Sequence, residues 1–471
     1  MNLSAKHKIA FGFGSLAFGI KDQGFNTLLL LYYNQVIGLP AAQVGAAILI
    51  ATLVDAVLDP LIGHASDHYR SRMGRRHPFM YGAALPMAIA YALFWSPPDA
   101  AQSVQLAWLV GLSIVVRVAV SLYEIPSTAL MAELTNDYDE RTTLSTWRSL
   151  FMALALVGMG IVVFKYFLAP TAQQPVGQLN AEGYVRYGYV GAALMFVSVL
   201  VAARGTHDRI PMLRASIPER QHGSLWSGLK LLMSDRAYVS VVLCAFLFAV
   251  GGGIATTLGT YLQTYFWKVT ADQIAAITAG FGAGIPVGLI VSAMTRHLNK
   301  KLVTISACAL ALIAFVALVT LRLTGVLGGD VQAIMPWLVA QSGLMAVCLL
   351  VTVIMSASML ADVADHIEVK SGRRMEGLMF AALIMIQKAV SGFGVFCSGI
   401  ILTLVGFPEK ADPATIDPAI VHHLALVYVI GTGVMVFLAL LAISIFPISR
   451  ESHRRTLELQ KAMRAGAAIA S

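Results

Sequence analysis

Long apolar runs separated by short polar stretches make up most of this chain. Each run is close to the length of about 20 residues that an α-helix needs to cross a bilayer. The pattern predicts an all-α polytopic membrane protein with twelve spanning helices, near residues 10–37, 43–65, 79–96, 104–131, 146–168, 186–203, 238–266, 273–295, 302–323, 334–360, 377–405 and 421–447.

Composition agrees with this pattern. The 471 residues are 58% hydrophobic and 12% charged, whereas a soluble protein has about 25% charged residues. The net charge of +8 does not indicate nucleic acid as a partner, because basic residues of membrane proteins collect in cytoplasmic loops. We find no nucleophile elbow, phosphate loop or His/Cys metal motif, so we expect no enzyme and no cofactor.

The polar links alternate in charge. Those rich in Lys and Arg are 64–77, 204–236, 296–301, 366–374 and 450–464, and those poor in them are 97–103, 169–185, 324–333 and 407–420. Basic loops stay in the cytoplasm. We therefore expect a protein of the cytoplasmic (inner or plasma) membrane with both termini cytoplasmic.

The longest polar stretch divides the chain. We expect a six-helix bundle over 1–203, a cytoplasmic linker over 204–236, a second six-helix bundle over 237–449 and a cytoplasmic tail over 450–471.

The two bundles show weak internal similarity. The segment 39–43 after the first helix resembles 269–273 after the seventh, and 132–134 resembles 361–363 at the end of the fourth helix of each bundle. Chance is an alternative for either match alone. Their corresponding positions favour two pseudo-symmetric halves, a pattern typical of transporters.

Asp55 and Asp59 lie four residues apart in an apolar run, so both carboxylates share one helical face. A charge at mid-membrane costs about 2.5–3.5 kcal/mol on the mildest scales. The two anions also repel each other, and a bound Na⁺ or a proton would relieve that repulsion. Two structural hydrogen bonds are the alternative.

Lys388 lies centrally in the eleventh apolar run. A buried lysine needs an anion, and we expect the pair Asp55 and Asp59 to supply it when no cation is bound, which would give Lys388 a coupling role. Snorkelling to the interface is the alternative. The eighth helix has only the apolar run 284–287 at the position of Asp55, which assigns the cation to the first half.

Three further charges are candidates for contact with a transported solute. Arg117 and Glu124 are two turns apart on one face of the fourth helix. Arg117 could meet a negative group and Glu124 could accept hydroxyls, although an ion pair within the helix explains both. Arg148, near a helix end, could equally be a gating or anchoring charge.

The loop after the second helix contains a candidate gate. Its charges could form a network that breaks during transport, whereas an ordinary basic cytoplasmic loop is the alternative; the residues concerned are Gly63, Asp67, Arg72, Gly74, Arg75 and Arg76.

These motifs resemble a known family. Asp55-x3-Asp59-Pro60-x2-Gly63, followed by Ser71-Arg72-x-Gly74-Arg75-Arg76-x-Pro78, is similar to the glycoside–pentoside–hexuronide:cation symporters, the melibiose-permease branch of the major facilitator superfamily. The resemblance also takes in Lys21-Asp22, Tyr32-Tyr33, Glu124-Ile125-Pro126, Arg148 and Lys388. It implies a twelve-helix fold and symport by alternating access.

The resemblance also implies roles for single residues. Asp55 and Asp59 match the cation-site carboxylates, and Ser121 stands where a threonine hydroxyl assists the cation. Lys388 matches a lysine near that site. The positions that contact sugar hydroxyls are matched by Asp22, Glu124 and Arg148.

Departures from the family pattern bear on the solute. Glu124 replaces an aspartate, and Thr128 stands where the melibiose permeases place a tryptophan near the sugar ring. Arg117 has no obvious counterpart there and suggests an anionic solute such as a hexuronide.

We expect Na⁺- or H⁺-coupled symport of a sugar, a glycoside or a hexuronide-like solute. The partners would be that small molecule, the cation and the bilayer, and a monomer suffices for this architecture. A lysolipid or amphiphile symporter is the alternative within transport. A receptor or membrane enzyme is the alternative of another class.

Overall fold

Helices are the regular elements of the computed structural model. It describes residues 3–135, 137–213, 232–295, 297–371, 376–448, 451–456 and 458–459. Much of the predicted linker and most of the predicted tail lie outside the described residues.

Twelve long helical segments follow one another in the described part of the chain. The first, α1, is composite: Ala5–Phe13, Leu16–Gln23, the π-helical Gly24–Leu28, Leu29–Leu31 and the π-helical Tyr32–Ile37. The others are α2 Ala41–His68, α3 His77–Phe94, α4 Gln102–Leu134, α5 Tyr138–Val162 with π-helical Val163–Phe167, α6 Ala181–Gly205, α7 Arg236–Tyr261 with π-helical Leu262–Phe266, α8 Ala271–Thr295, α9 Lys300–Leu323, α10 Val331–Ser371, α11 Glu376–Leu404 and α12 Pro418–Ser444.

The predicted spans match these segments, but their ends differ. Within the described ranges, nine helices have the length and apolarity to cross a membrane. Several helices are longer than the apolar run inside them: α10 continues to Ser371, although its apolar run was predicted to end at residue 360. Charged side chains end the membrane-compatible run without ending the helix, because backbone hydrogen bonds continue beyond the bilayer.

The chain groups into two compact units. The first consists of Met1–Glu219, Thr256–Ala279 and Val395–Leu424; the second consists of Arg220–Ala255, Gly280–Gly394 and Ala425–Ser471. Both units take segments from α7, α8, α11 and α12. The predicted division at residues 204–236 follows the order of the sequence and stays a prediction.

The ends of α1 and α7 repeat one local structure. Each helix closes with a π-helical turn, after which Gly38 and Lys268 have positive φ angles of 96° and 53°. The amide of Leu39 then donates to the Tyr33 carbonyl over 2.8 Å, and the amide of Val269 donates to the Gln263 carbonyl over 3.0 Å. This shared geometry supports the internal repeat predicted between 39–43 and 269–273.

The π-helical turn Gly24–Leu28 of α1 supplies backbone acceptors to α7 within the first unit. The Thr257 hydroxyl donates to the Asn26 carbonyl over 3.0 Å, and the Thr260 hydroxyl donates to the Thr27 carbonyl over 3.1 Å. A π turn displaces carbonyls from the regular helical ladder, so they can accept bonds from a neighbouring helix.

A buried glutamine joins α1 to the segment after α11, also in the first unit. The Gln35 amide nitrogen donates to the Pro408 carbonyl over 2.9 Å. Its amide oxygen accepts from the Tyr265 hydroxyl over 2.8 Å and from the Ala411 amide over 2.9 Å. One side chain thus satisfies polar groups of two other segments.

We expect Gln35→Leu to lower the melting temperature of the purified protein by several degrees. The leucine has a similar volume but leaves buried groups such as the Ala411 amide unsatisfied, at about 1–3 kcal/mol each. Gln105→Leu is the control, because Gln105 makes a single 3.2 Å bond to the Pro98 carbonyl. Equal thermal shifts in the two variants would contradict the structural role of Gln35.

Candidate functional site

Asp55 is a buried carboxylate on α2, with 6% of its surface exposed. The Ser121 hydroxyl on α4 donates to its Oδ1 atom over 2.7 Å. Gly63 faces Ile125 of α4 further along α2, but a Cβ there would lie 3.7 Å from that side chain, an ordinary contact, so the approach of the two helices does not require glycine. The structure therefore brings Asp55 and Ser121, both predicted to bind the cation, into direct contact.

Arg117 approaches the same carboxylate from α4. Its Nη1 atom lies 3.8 Å from Asp55 Oδ2, and its guanidinium carbon lies 5.4 Å from the centre of the Phe25 ring. Arg117 and Ser121 are four residues apart, so they share a helical face. The structure places the guanidinium beside the predicted cation site. A contact of Arg117 with the solute stays a prediction.

Asp59 lies one turn after Asp55 on α2 and is half-buried. The carboxylates of Asp55, Asp22 and Asp59 all act electrostatically on Arg117. Pro60, also inside α2, has no N–H to donate to the preceding turn. Carboxylate and hydroxyl oxygens thus occur together, and oxygen atoms are the ligands that hard cations take.

A second polar group surrounds Arg148 on α5. Its Nη2 atom donates to the Thr128 hydroxyl on α4 over 3.0 Å. The guanidinium carbon lies 5.6 Å from the ring centre of Phe11 and 5.9 Å from that of Phe18, both on α1. Arg148 and Thr128, both predicted to contact the solute, are therefore direct neighbours.

Aromatic rings beside Arg148 were not among the predicted site residues. Phe18 and Tyr123 are stacked with ring centres 5.6 Å apart. Both rings are buried. The Phe18 ring lies beside Arg148, which bonds to Thr128, the residue in the place of the tryptophan in the family pattern. A hydropathy pattern does not separate such rings from ordinary membrane-facing residues, so only the fold reveals them.

Asp22 and Glu124, predicted to contact the solute, and Lys388, predicted to act in coupling, are the remaining candidates in the helices. Asp22 forms an ion pair with its neighbour Lys21, at 2.7 Å between Oδ1 and Nζ. Glu124 is half-buried on α4, one turn before Thr128. Lys388 is half-buried on α11 and belongs to the second unit. Its predicted pairing with Asp55 and Asp59 stays a prediction.

The predicted gating loop forms a charge network around Glu133, at the end of α4. Glu133 Oε1 lies 3.0 Å from the Nη2 atoms of both Arg75 and Arg76. Arg76 also reaches Asp67 Oδ1 over 2.5 Å and donates to the Ser66 hydroxyl over 2.7 Å. Asp67, Arg75 and Arg76 thus lie in one charge network with Glu133, which was not among the predicted loop residues, and the gating role of the loop stays a prediction.

Gly74 and Arg72 are two further residues of the predicted loop. Gly74 has a φ of 76°, in the left-handed region that glycine adopts without strain, and Arg72 is exposed.

The second unit has an equivalent charge pair. Lys300, the first residue of α9, places its Nζ atom 2.7 Å from Asp362 Oδ1 on α10. Asp362 occupies the repeat position of Glu133, and α9 corresponds to α3. Two pairs of local structures therefore agree with a duplicated half. One pair is the ends of α1 and α7, and the other is the acids Glu133 and Asp362.

The comparison with protein families identifies the chain. A family model described as "MFS/sugar transport protein" matches residues 10–450. The chain belongs to this family. The resemblance to the glycoside–pentoside–hexuronide:cation symporters is confirmed, and this transporter is not an enzyme.

Two curated relatives are similar along most of their length. The putative glycoside/cation symporter YagG of Escherichia coli is 25% identical, over 88% of this chain and 86% of that protein. The isoprimeverose transporter of Lactiplantibacillus pentosus is 25% identical, over 90% of this chain and 86% of its own. The family and these relatives make this chain a multi-pass secondary active transporter for a small molecule.

Solved structures confirm the predicted fold class. The nucleoside transporter NupG has a TM-score of 0.63 at 15% identity, and the match covers 94% of this chain and 100% of its own. The xylose transporter XylE of E. coli has a TM-score of 0.61 at 14% identity, covering 93% and 97%. The protein thus has the major facilitator fold.

Proposed function

We propose that this transporter couples the downhill entry of one monovalent cation, Na⁺ or H⁺, to uptake of a sugar, a glycoside or a hexuronide-like solute. The contact of Asp55 with Ser121 and Arg117 carries this proposal. The names of the two relatives support the solute class.

Charge balance favours a monovalent ion. Asp55 and Asp59 contribute carboxylates, and the positive charge of Arg117 beside Asp55 already offsets part of theirs. A monovalent cation adds less positive charge to this region than a divalent ion, and excess charge is costly within the membrane. In the described part of the chain, no group of three or more His, Cys, Asp or Glu side chains could hold a metal.

The surroundings of Arg148 suit a solute that carries hydroxyl groups. Its guanidinium and the Thr128 hydroxyl can bond to hydroxyls or to the carboxylate of a uronide, and Glu124 can accept hydroxyl protons.

Coupling follows from one shared helix. Arg117 and Ser121 touch the cation-site carboxylate from α4, and Glu124 and Thr128 continue along that helix toward the solute residues. Ion binding that stabilises the position of α4 would improve solute binding, and the solute would improve ion binding by the same factor.

We expect Asp59→Cys to abolish cation-driven uptake but to retain some solute binding or exchange, because one cation ligand is lost and the Arg148 region is not. Proteoliposomes should be tested with glycosides, uronides and lysolipids, under Na⁺ and H⁺ gradients imposed separately. Equal cation stimulation in the variant and the parent would rule out the proposed coupling. Preference for lysolipid would instead favour an amphiphile carrier.

We also propose that both termini face the cytoplasm, since the basic links all fall on one side of the alternating pattern. Reporter fusions at residues 100 and 330 should then report an outside location, and fusions at both termini an inside one. The reverse pattern would overturn this orientation.

A further inference from the structure

Arg117 makes an unusual contact for a buried arginine. It is 6% exposed, and its nearest carboxylate oxygen is 3.8 Å away, beyond the 2.7–2.9 Å or so of a charge-assisted hydrogen bond. Its Nε atom is buried and has no hydrogen-bond partner within the described residues. Ser121, not Arg117, makes the short bond to Asp55.

This geometry separates two roles. The Ser121 hydroxyl fixes the orientation of the Asp55 carboxylate, while Arg117 contributes charge without a fixed hydrogen bond. The Phe25 ring supports the guanidinium from one side, an arrangement that is favourable for a desolvated cation. An arginine held in this way can remain buried when its carboxylate partner is shared with another positive ion.

We propose that Arg117 is a tethered cation that competes with the coupling cation for Asp55 and thereby sets the affinity of the site. The inference rests on the proposed function, because it takes Asp55 and Asp59 as the cation ligands. An ion bound at Asp55 lies within a few ångströms of the guanidinium, and the two positive charges repel strongly in a buried region.

The competition weakens the site through its charges. Arg117 places a positive charge beside Asp55, and an ion that binds there must approach it. Without that charge, the carboxylates would attract alkali cations more strongly. A neighbouring charge at this distance changes the cation affinity of a carboxylate by about tenfold or more.

The test is Na⁺ binding to the purified protein, measured by calorimetry at constant ionic strength with choline as the replacement ion. We expect Arg117→Gln to bind Na⁺ at least about tenfold more tightly than the parent. Arg117→Lys keeps the charge and should stay near the parental affinity. Arg117→Met is measured in parallel, so that a folding defect of one neutral variant does not decide the result.

Arg186→Gln is the matched control, because it removes an exposed arginine paired with Glu182 on α6 and should leave Na⁺ affinity unchanged. Na⁺ binding in both neutral variants that is no tighter than in the parent, or that is absent, would overturn the inference. Uptake distinguishes this failure from that of the proposed function: if neither gradient stimulates uptake by the parent, the proposed coupling itself fails.

Discussion

Asp55→Asn should reduce cation-stimulated uptake to background, a loss of more than about a hundredfold. The asparagine keeps the shape of the side chain and can still accept from Ser121, but the charge that faces Arg117 is gone. Removing one partner of a buried ion pair costs about 3–5 kcal/mol of folding stability. Each 1.4 kcal/mol or so corresponds to a tenfold change in an equilibrium constant. Thermal unfolding and proteoliposome uptake measure the two consequences separately.

A double variant separates stability from coupling. Asp55→Asn combined with Arg117→Gln has no unpaired buried charge at this position, so we expect its melting temperature to return toward the parental value. Its uptake should still not respond to Na⁺ or H⁺ gradients, since a cation ligand is missing. Parental cation stimulation in the single or the double variant would remove Asp55 from the cation site.

Glu133→Gln should have the second-largest effect, mainly on stability. The side chains of Glu133 and Arg76 are 12% and 7% exposed, so the variant leaves buried arginine charge without its main partner. We expect a loss near the lower end of the range of about 3–5 kcal/mol, because Asp67 still pairs with Arg76. Thermal unfolding in detergent is the measurement.

Glu182→Gln provides the contrast. Glu182 and Arg186 form an ion pair whose side chains are 71% and 61% exposed, and such pairs contribute about 0–1 kcal/mol. Asp362→Asn, at the repeat position in the second unit, should destabilise the protein as Glu133→Gln does. Similar small losses of stability in all three variants would show that the network around Glu133 does not stabilise the protein.

The helices and the key acids could be predicted from the sequence because both depend on local pattern. Apolar runs of spanning length identify α2 or α8 without knowledge of the fold, and the four-residue spacing of Asp55 and Asp59 places them on one face. Charged residues within such runs, where a charge costs free energy in the bilayer, identify most of the candidate residues. Helix ends were less predictable, since hydropathy marks the bilayer and not the last hydrogen bond.

Contacts between helices could not be predicted in the same way. Spacing along α4 related Arg117 to Glu124, whereas the structure places Arg117 against Asp55 on α2. Glu133 appeared only as part of a repeat, because its arginine partners lie in the loop before α3, far from Glu133 in the sequence. Gln35 gave no signal at all, since one glutamine in an apolar run looks the same whether or not it joins distant segments.

The π-helical turn Gly24–Leu28 of α1 has a consequence for comparing relatives. An α-helix advances by about 100° per residue, and a π turn accommodates one additional residue. A relative without this turn would have one residue fewer there, while the helix on either side keeps the same faces. If the two chains were aligned without a gap, the residue paired with Asp22 would point about 100° away, so alignments across α1 need a one-residue gap before functional residues are equated.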